Sequence, residues 1–163
     1  MKCIRVPLVL LLWSIFTTAS HAQSTAVDTA ALLAPAHRFL DSFNAHADTV
    51  PTGIFTDDAV TLDVIPPYVW AGPQAVRRWY TDLLGRTSRT SHANDLVRLD
   101  QHLQIGSPGS IQVVGDVARF VLPAVATYVD QGKRQRQIAR WVIAERRQNN
   151  QWRISVSSFD VTG

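Results

Sequence analysis

The second half of the chain is punctuated like a sheet that folds back on itself. Four stretches rich in β-branched and aromatic residues, at about 91–105, 111–129, 134–147 and 151–161, are separated by Gly106-Ser107-Pro108-Gly109, by Gly132 and by Asn149-Asn150. Breaks this short join antiparallel strands, because a parallel return needs a crossover of about a dozen residues or more. Gly115-Asp116 and Pro123 fall inside the second stretch. Proline cannot donate to a ladder, so an interruption or bulge is expected there.

The first half carries helical spacing instead. Leu32, Ala36, Phe39, Leu40 and Phe43 recur on one helix face, and Pro35 marks the start of the regular helix or a kink in it. Asp48 is placed to cap a short turn leading to Ile54 and Phe55, and Thr56-Asp57-Asp58 breaks the pattern, with both aspartates read as turn and capping residues. Ala59 to Ile65 reads as a strand stopped by Pro66-Pro67, and Tyr68-Val69-Trp70 as a short return. Gly72-Pro73 then opens a helix that places Val76, Trp79, Tyr80, Leu83 and Leu84 on one face, with Gly85 as its expected end. Helices followed by a curved antiparallel sheet make an α+β domain with the helices on one sheet face.

The N-terminus follows a different logic. Lys2 and Arg5 precede an apolar run from Val6 to Phe16, and Ser20-His21-Ala22 supplies small residues at the two positions a signal peptidase reads. Residues 1–22 are therefore expected to be a signal peptide with Gln23 as the mature start, and the protein to be secreted or periplasmic. No later stretch is apolar enough to cross a membrane. Residues 23–33 are read as a flexible mature N-terminus and 34–163 as one domain.

Cleavage removes Lys2, Arg5 and the only cysteine, Cys3, leaving 14 basic against 13 acidic residues. A domain so near neutrality, destined for export, is a poor nucleic-acid partner. The basic run Lys133-Arg134-Gln135-Arg136 beside Gly132 reads as a solvated hairpin end. Packing alone must hold the core, and the sequence as a whole, with 46% apolar residues and five tryptophans, has a globular composition.

The order of elements resembles the nuclear transport factor 2-like (NTF2-like) superfamily, in its SnoaL-like and ketosteroid-isomerase-like branches, over about residues 34–161. The first helix with Phe39 and Phe43, the run Phe55-Thr56-Asp57-Asp58-Ala59-Val60, Trp70-Ala71-Gly72-Pro73 and the closing Trp152-Arg153-Ile154 carry the resemblance. It implies a cone, with a strongly curved sheet wrapped around the helices and an internal, mostly apolar pocket. It further implies a homodimer through the outer face of the last strands. The resemblance also sets Asp63 at the place of the isomerases' catalytic aspartate. Phe39 falls where those enzymes need a tyrosine, and a phenyl ring cannot donate to an oxyanion, so steroid isomerisation is disfavoured.

Alternation in the first strand sets Thr61, Asp63 and Ile65 on one face and Val60, Leu62 and Val64 on the other. A carboxylate facing an apolar cavity is a candidate general base, and an ion-paired or solvated aspartate is the structural alternative. His92 is a second candidate acid or base at a pocket mouth. Arg140, between Ile138 and Val142, needs a carboxylate such as Asp63 or Asp160, or an anionic ligand. Phe39, Tyr68, Trp70, Trp79, Tyr80, Tyr128 and Trp141 are the aromatic candidates for stacking on a flat ligand, although such residues also build plain core.

His92 and His102 lie roughly 33 Å apart on an extended strand, so no metal set is expected, and no phosphate loop or nucleophile elbow occurs. The expected function is an exported pocket protein that binds or acts on a small hydrophobic or aromatic molecule. Its chemistry would be cofactor-free isomerisation, dehydration or cyclisation. A non-catalytic ligand-binding or dimerisation module of the cell envelope is the alternative.

Overall fold

The computed structural model describes residues 28–88 and 99–162. The expected signal peptide lies outside them, as does His92. Helix α1 spans Thr29–Asn44 and is started by Asp28, whose carboxylate accepts from the Ala30 and Ala31 N–H groups at 2.9 and 3.4 Å. Residues 29–33 are thus helical rather than flexible. Pro35 lies within the helix, where it forfeits only the one bond its missing N–H would have given to Ala31. The buried face runs through Leu32, Pro35, Ala36, Phe39, Leu40 and Phe43. At its end Asn44 imitates a strand, donating to the Leu103 carbonyl and accepting from the Leu103 N–H, both at 2.8 Å.

Strand β1 is Phe55–Leu62, beginning four residues earlier than alternation suggests and stopping before Asp63. Its first residues are held by pairing with the last strand, not by their own pattern. Asp57 and Asp58 are therefore consecutive exposed strand residues in a register shift, not turn residues. Arg146 grips Asp58 at 2.6 Å, which holds this exposed carboxyl below the usual aspartate range. Strand β2 is Val69–Trp70. Helix α2, Ala75–Ser88, passes straight through Gly85. A glycine lowers helix stability by only about 1 kcal/mol relative to alanine and need not end it.

The remaining strands are β3 (Leu99–Ile105), β4 (Ile111–Val114), β5 (Val117–Asp130), β6 (Lys133–Gln148) and β7 (Gln151–Val161). The sheet order is β2-β1-β7-β6-β5-β3, with β4 also on β5. All pairs are antiparallel except β1 with β7, so the sheet is mixed. The Gly115-Asp116 interruption is the turn of the β4–β5 hairpin. At Gln131-Gly132 and Asn149-Asn150 both residues have positive φ, the geometry that matches the twist of two-residue hairpins.

Pro123 stays inside β5 without a bulge. Its carbonyl accepts from Gly106 at 2.8 Å on the edge shared by β3 and β4. A strand residue points its N and O to the same side, so the missing N–H falls between the last residue paired with β4, Phe120, and the first paired with β3, Ala124.

On β5 and β6 alternate residues face the helices. Phe120, Leu122, Ala124 and Ala126 do so on β5, and Ala139, Trp141, Ile143 and Glu145 on β6. The result is a two-helix, seven-stranded curved sheet, open at its edges, with the core between helices and concave face. No helix among the described residues is long and apolar enough to cross a membrane.

Candidate functional site

Phe39 is the hub of the core. Its ring lies 5.5 Å from Trp79 in a stacked arrangement, 5.4 Å from Trp141, and within 6.1 Å of Phe43, Phe55 and Tyr80. Beside this cluster the helices and the concave face leave a cavity of about 100 Å³. Its apolar wall includes Phe39, Phe43, Trp79, Leu103, Trp141 and Phe159, and its polar side chains are Asp63, Gln101 and Ser157.

Asp63 is the first residue past β1. Its backbone N–H donates to the Tyr68 carbonyl at 3.1 Å, closing the hairpin to β2. Its Oδ2 accepts from Trp79 Nε1 at 2.9 Å, which fixes the carboxylate against the cavity wall from the α2 side. Trp141 Nε1 likewise donates to Ser157 Oγ at 2.9 Å across β6 and β7. Gln101 Oε1 is buried and has no hydrogen-bond partner.

Of the residues picked from the sequence, Asp63, Phe39, Trp79 and Trp141 line this cavity. The other described ones lie elsewhere. Trp70 is buried but turns its indole N–H to Asp82 at 2.9 Å. Tyr80 is buried with its hydroxyl on the Ala47 carbonyl, and burial pushes its pKa up. Tyr68 is 58% exposed on the hairpin, and Tyr128 is half-buried near the end of β5. Arg140 is exposed on the outer face, opposite Asp160 on β7, and does not reach the cavity. Its flanking Ile138 and Val142 point outward with it, two residues away on either side, and signalled no buried environment.

Gln101 and Ser157 were not singled out as ligand contacts, since neither type carries a signal until the fold brings it beside Asp63. Glu145 was also missed. It is fully buried, neither of its oxygens has a partner, and burial pushes its pKa up to about 8. Alternation with Trp141 and Ile143 on β6 was the signal that places it inward. No cluster of three or more metal-ligating side chains occurs among the described residues.

No protein-family model matches the sequence, and no curated protein matches it. Solved structures do match in shape. A hexachlorocyclohexane dehydrochlorinase (LinA) type 2 superposes with a TM-score of 0.66 at 12% identity, covering 83% of this chain and 85% of that one. An NTF2-like protein of unknown function from Pseudomonas putida gives 0.61 at 18% identity, over 82% of this chain and 87% of that one. A ketosteroid isomerase-like protein from Erwinia carotovora atroseptica gives 0.62 at 16% identity, over 82% and 95%. The fold is the NTF2-like cone. The residue pattern implied an α+β domain and the resemblance a cone with the helices inside a curved antiparallel sheet, and the one parallel pair among the described strands, β1 with β7, refines it. At these identities the likeness fixes the NTF2-like architecture alone, because one fold hosts many functions.

Proposed function

We propose that this protein holds a small apolar or aromatic molecule in the cavity beside Asp63, and that Asp63 accepts a proton from it in a cofactor-free isomerisation or elimination. The observation that carries the reading is a carboxylate, the only one among the described lining residues, oriented by Trp79 in an otherwise mostly apolar wall. A base in apolar surroundings is poorly hydrated and stands ready to take a proton from a bound molecule. That a dehydrochlorinase shares the cone is compatible with such chemistry.

Asp63→Asn keeps the shape and removes the base. Turnover of a substrate found by screening is expected to fall by about a hundredfold or more, with binding little changed. Full activity in the variant would move the reading to a binding module.

We further propose that the domain pairs through the outer sheet face. There Val121, Ile138, Val142 and Val156 are each 37–47% exposed on adjacent strands β5, β6 and β7, an apolar patch that a second copy can cover. Light scattering at tens of micromolar is expected to give the mass of a dimer, and a monomer there would refute the pairing.

A further inference from the structure

Strand β7 carries three serines, and their hydroxyl protons meet different fates. Ser155 Oγ donates to the Ala144 carbonyl at 3.1 Å, and Ser158 Oγ donates to Asp160 Oδ1 at 3.0 Å. Both protons are bound within the sheet. Ser157 is the exception. It is only 2% exposed and lines the cavity, and its Oγ accepts from Trp141 Nε1 at 2.9 Å. Among the described residues nothing takes its proton. Thr61 is its register partner on β1, yet Thr61 Oγ1 is itself buried without a hydrogen-bond partner.

A hydroxyl has one proton to give as well as lone pairs to offer, and a buried polar group seldom leaves a bond unmade. The indole fixes the Ser157 oxygen and uses one lone pair. By donating to it, the indole also polarises the hydroxyl and strengthens the bond that its proton can make. Phe39, Phe43, Leu103 and Phe159 on the same wall offer that proton no side-chain acceptor. The cavity is partly open to solvent, so this group rather than a fixed volume sets what the site prefers.

Resting on the pocket reading above, but not on the part given there to Asp63, we infer that Ser157 donates a hydrogen bond to an acceptor oxygen of the bound molecule. The ligand is then a small apolar molecule that carries such an oxygen, as a ketone or an ether does. Trp141 is the positioning residue behind the donor.

The test compares cyclohexanone with methylenecyclohexane, which has nearly the same shape and a CH2 group in place of the oxygen. Affinities for the purified protein are read from the Trp141 indole N–H resonance, and the carbonyl stretch of bound cyclohexanone from infrared difference spectra. The stretch is expected at lower frequency than in an alkane solvent, because a hydrogen bond weakens the C=O bond. Ser157→Cys leaves the indole a sulfur to donate to and replaces the hydroxyl by a weak donor. Its ratio of ketone to alkene affinity is expected to fall about two- to tenfold, the worth of one hydrogen bond, with the stretch moving back toward its alkane value. Ser157→Thr keeps a hydroxyl and is expected to keep both the ratio and the stretch of the parent. Each ratio is taken within one variant, so it is independent of that variant's stability. An unshifted stretch in the parent, an unchanged ratio in Ser157→Cys, or an equal fall in Ser157→Thr would overturn the donor and leave the pocket reading standing. Failure of both probes to move the Trp141 resonance at about 10 mM would overturn the pocket reading and the donor with it.

Discussion

Phe39→Ala is expected to lower the unfolding free energy by about 3–5 kcal/mol, the range for truncating a buried phenylalanine. Phe39 is only 3% exposed, and its ring touches aromatic side chains from α1, α2, β1 and β6. Four elements close on that ring, and the truncation leaves a void among their aromatic side chains. Natural domains have only about 5–15 kcal/mol in total, so the variant should lose a large share of its stability in a urea titration. Phe39→Leu, which leaves a smaller void, is expected to lose less than half as much. A loss under about 1 kcal/mol for the alanine variant would mean that the ring is not the hub.

Glu145→Gln is expected to do the opposite, and in a pH-dependent way. Burial pushes the Glu145 carboxyl up to about 8 in the folded chain, against an ordinary value of 4.5 for an exposed glutamate. Between these values the folded state binds a proton that the unfolded state has released, so unfolding is increasingly favoured as pH rises. The stability tied to this group is complete below about pH 4.5 and is lost progressively as pH climbs through 8. At about 1.4 kcal/mol per unit, the loss by pH 7 is roughly 3 kcal/mol. Glutamine does not titrate, so the gain of Glu145→Gln over the parent should grow by about that amount between pH 4.5 and 7. Denaturant midpoints of the two proteins across that range read it directly. Parallel pH profiles would show that Glu145 is not held neutral.

Much of the cone was legible because its strands are long and its turns chemically explicit. Asn149-Asn150 and Gln131-Gly132 sit at positive φ where the sequence marked hairpin ends, and Trp79, Tyr80 and Leu83 face inward from α2 as their spacing requires. What local pattern missed was set by distant partners. Phe55 joins β1 because Ile154, almost a hundred residues later, pairs with it in parallel. The start of α1 was hidden by Pro35, although Asp28 was a cap in plain view.

The site was legible only in part, for a physical reason. Alternation placed Asp63 on the Thr61 face, and the structure sets Thr61 inside with Asp63 at the cavity wall. The partner that orients it, Trp79, comes from another element, and no spacing rule links the two. Arg140 misled because the outer face of β6 is itself apolar at Ile138 and Val142, so apolar neighbours did not mean burial. Trp70 and Tyr80 share their composition with the cavity aromatics, and only their positions in the fold separate core from lining.

The central claim is that the ligand lies against Asp63 between the two wall tryptophans. A crystal structure with phenol bound addresses it most directly. The account predicts a ring in the cavity beside Trp79 and Trp141 and against Asp63. A ring found only on the outer face of β5–β7, with the cavity beside Asp63 unchanged, would contradict it.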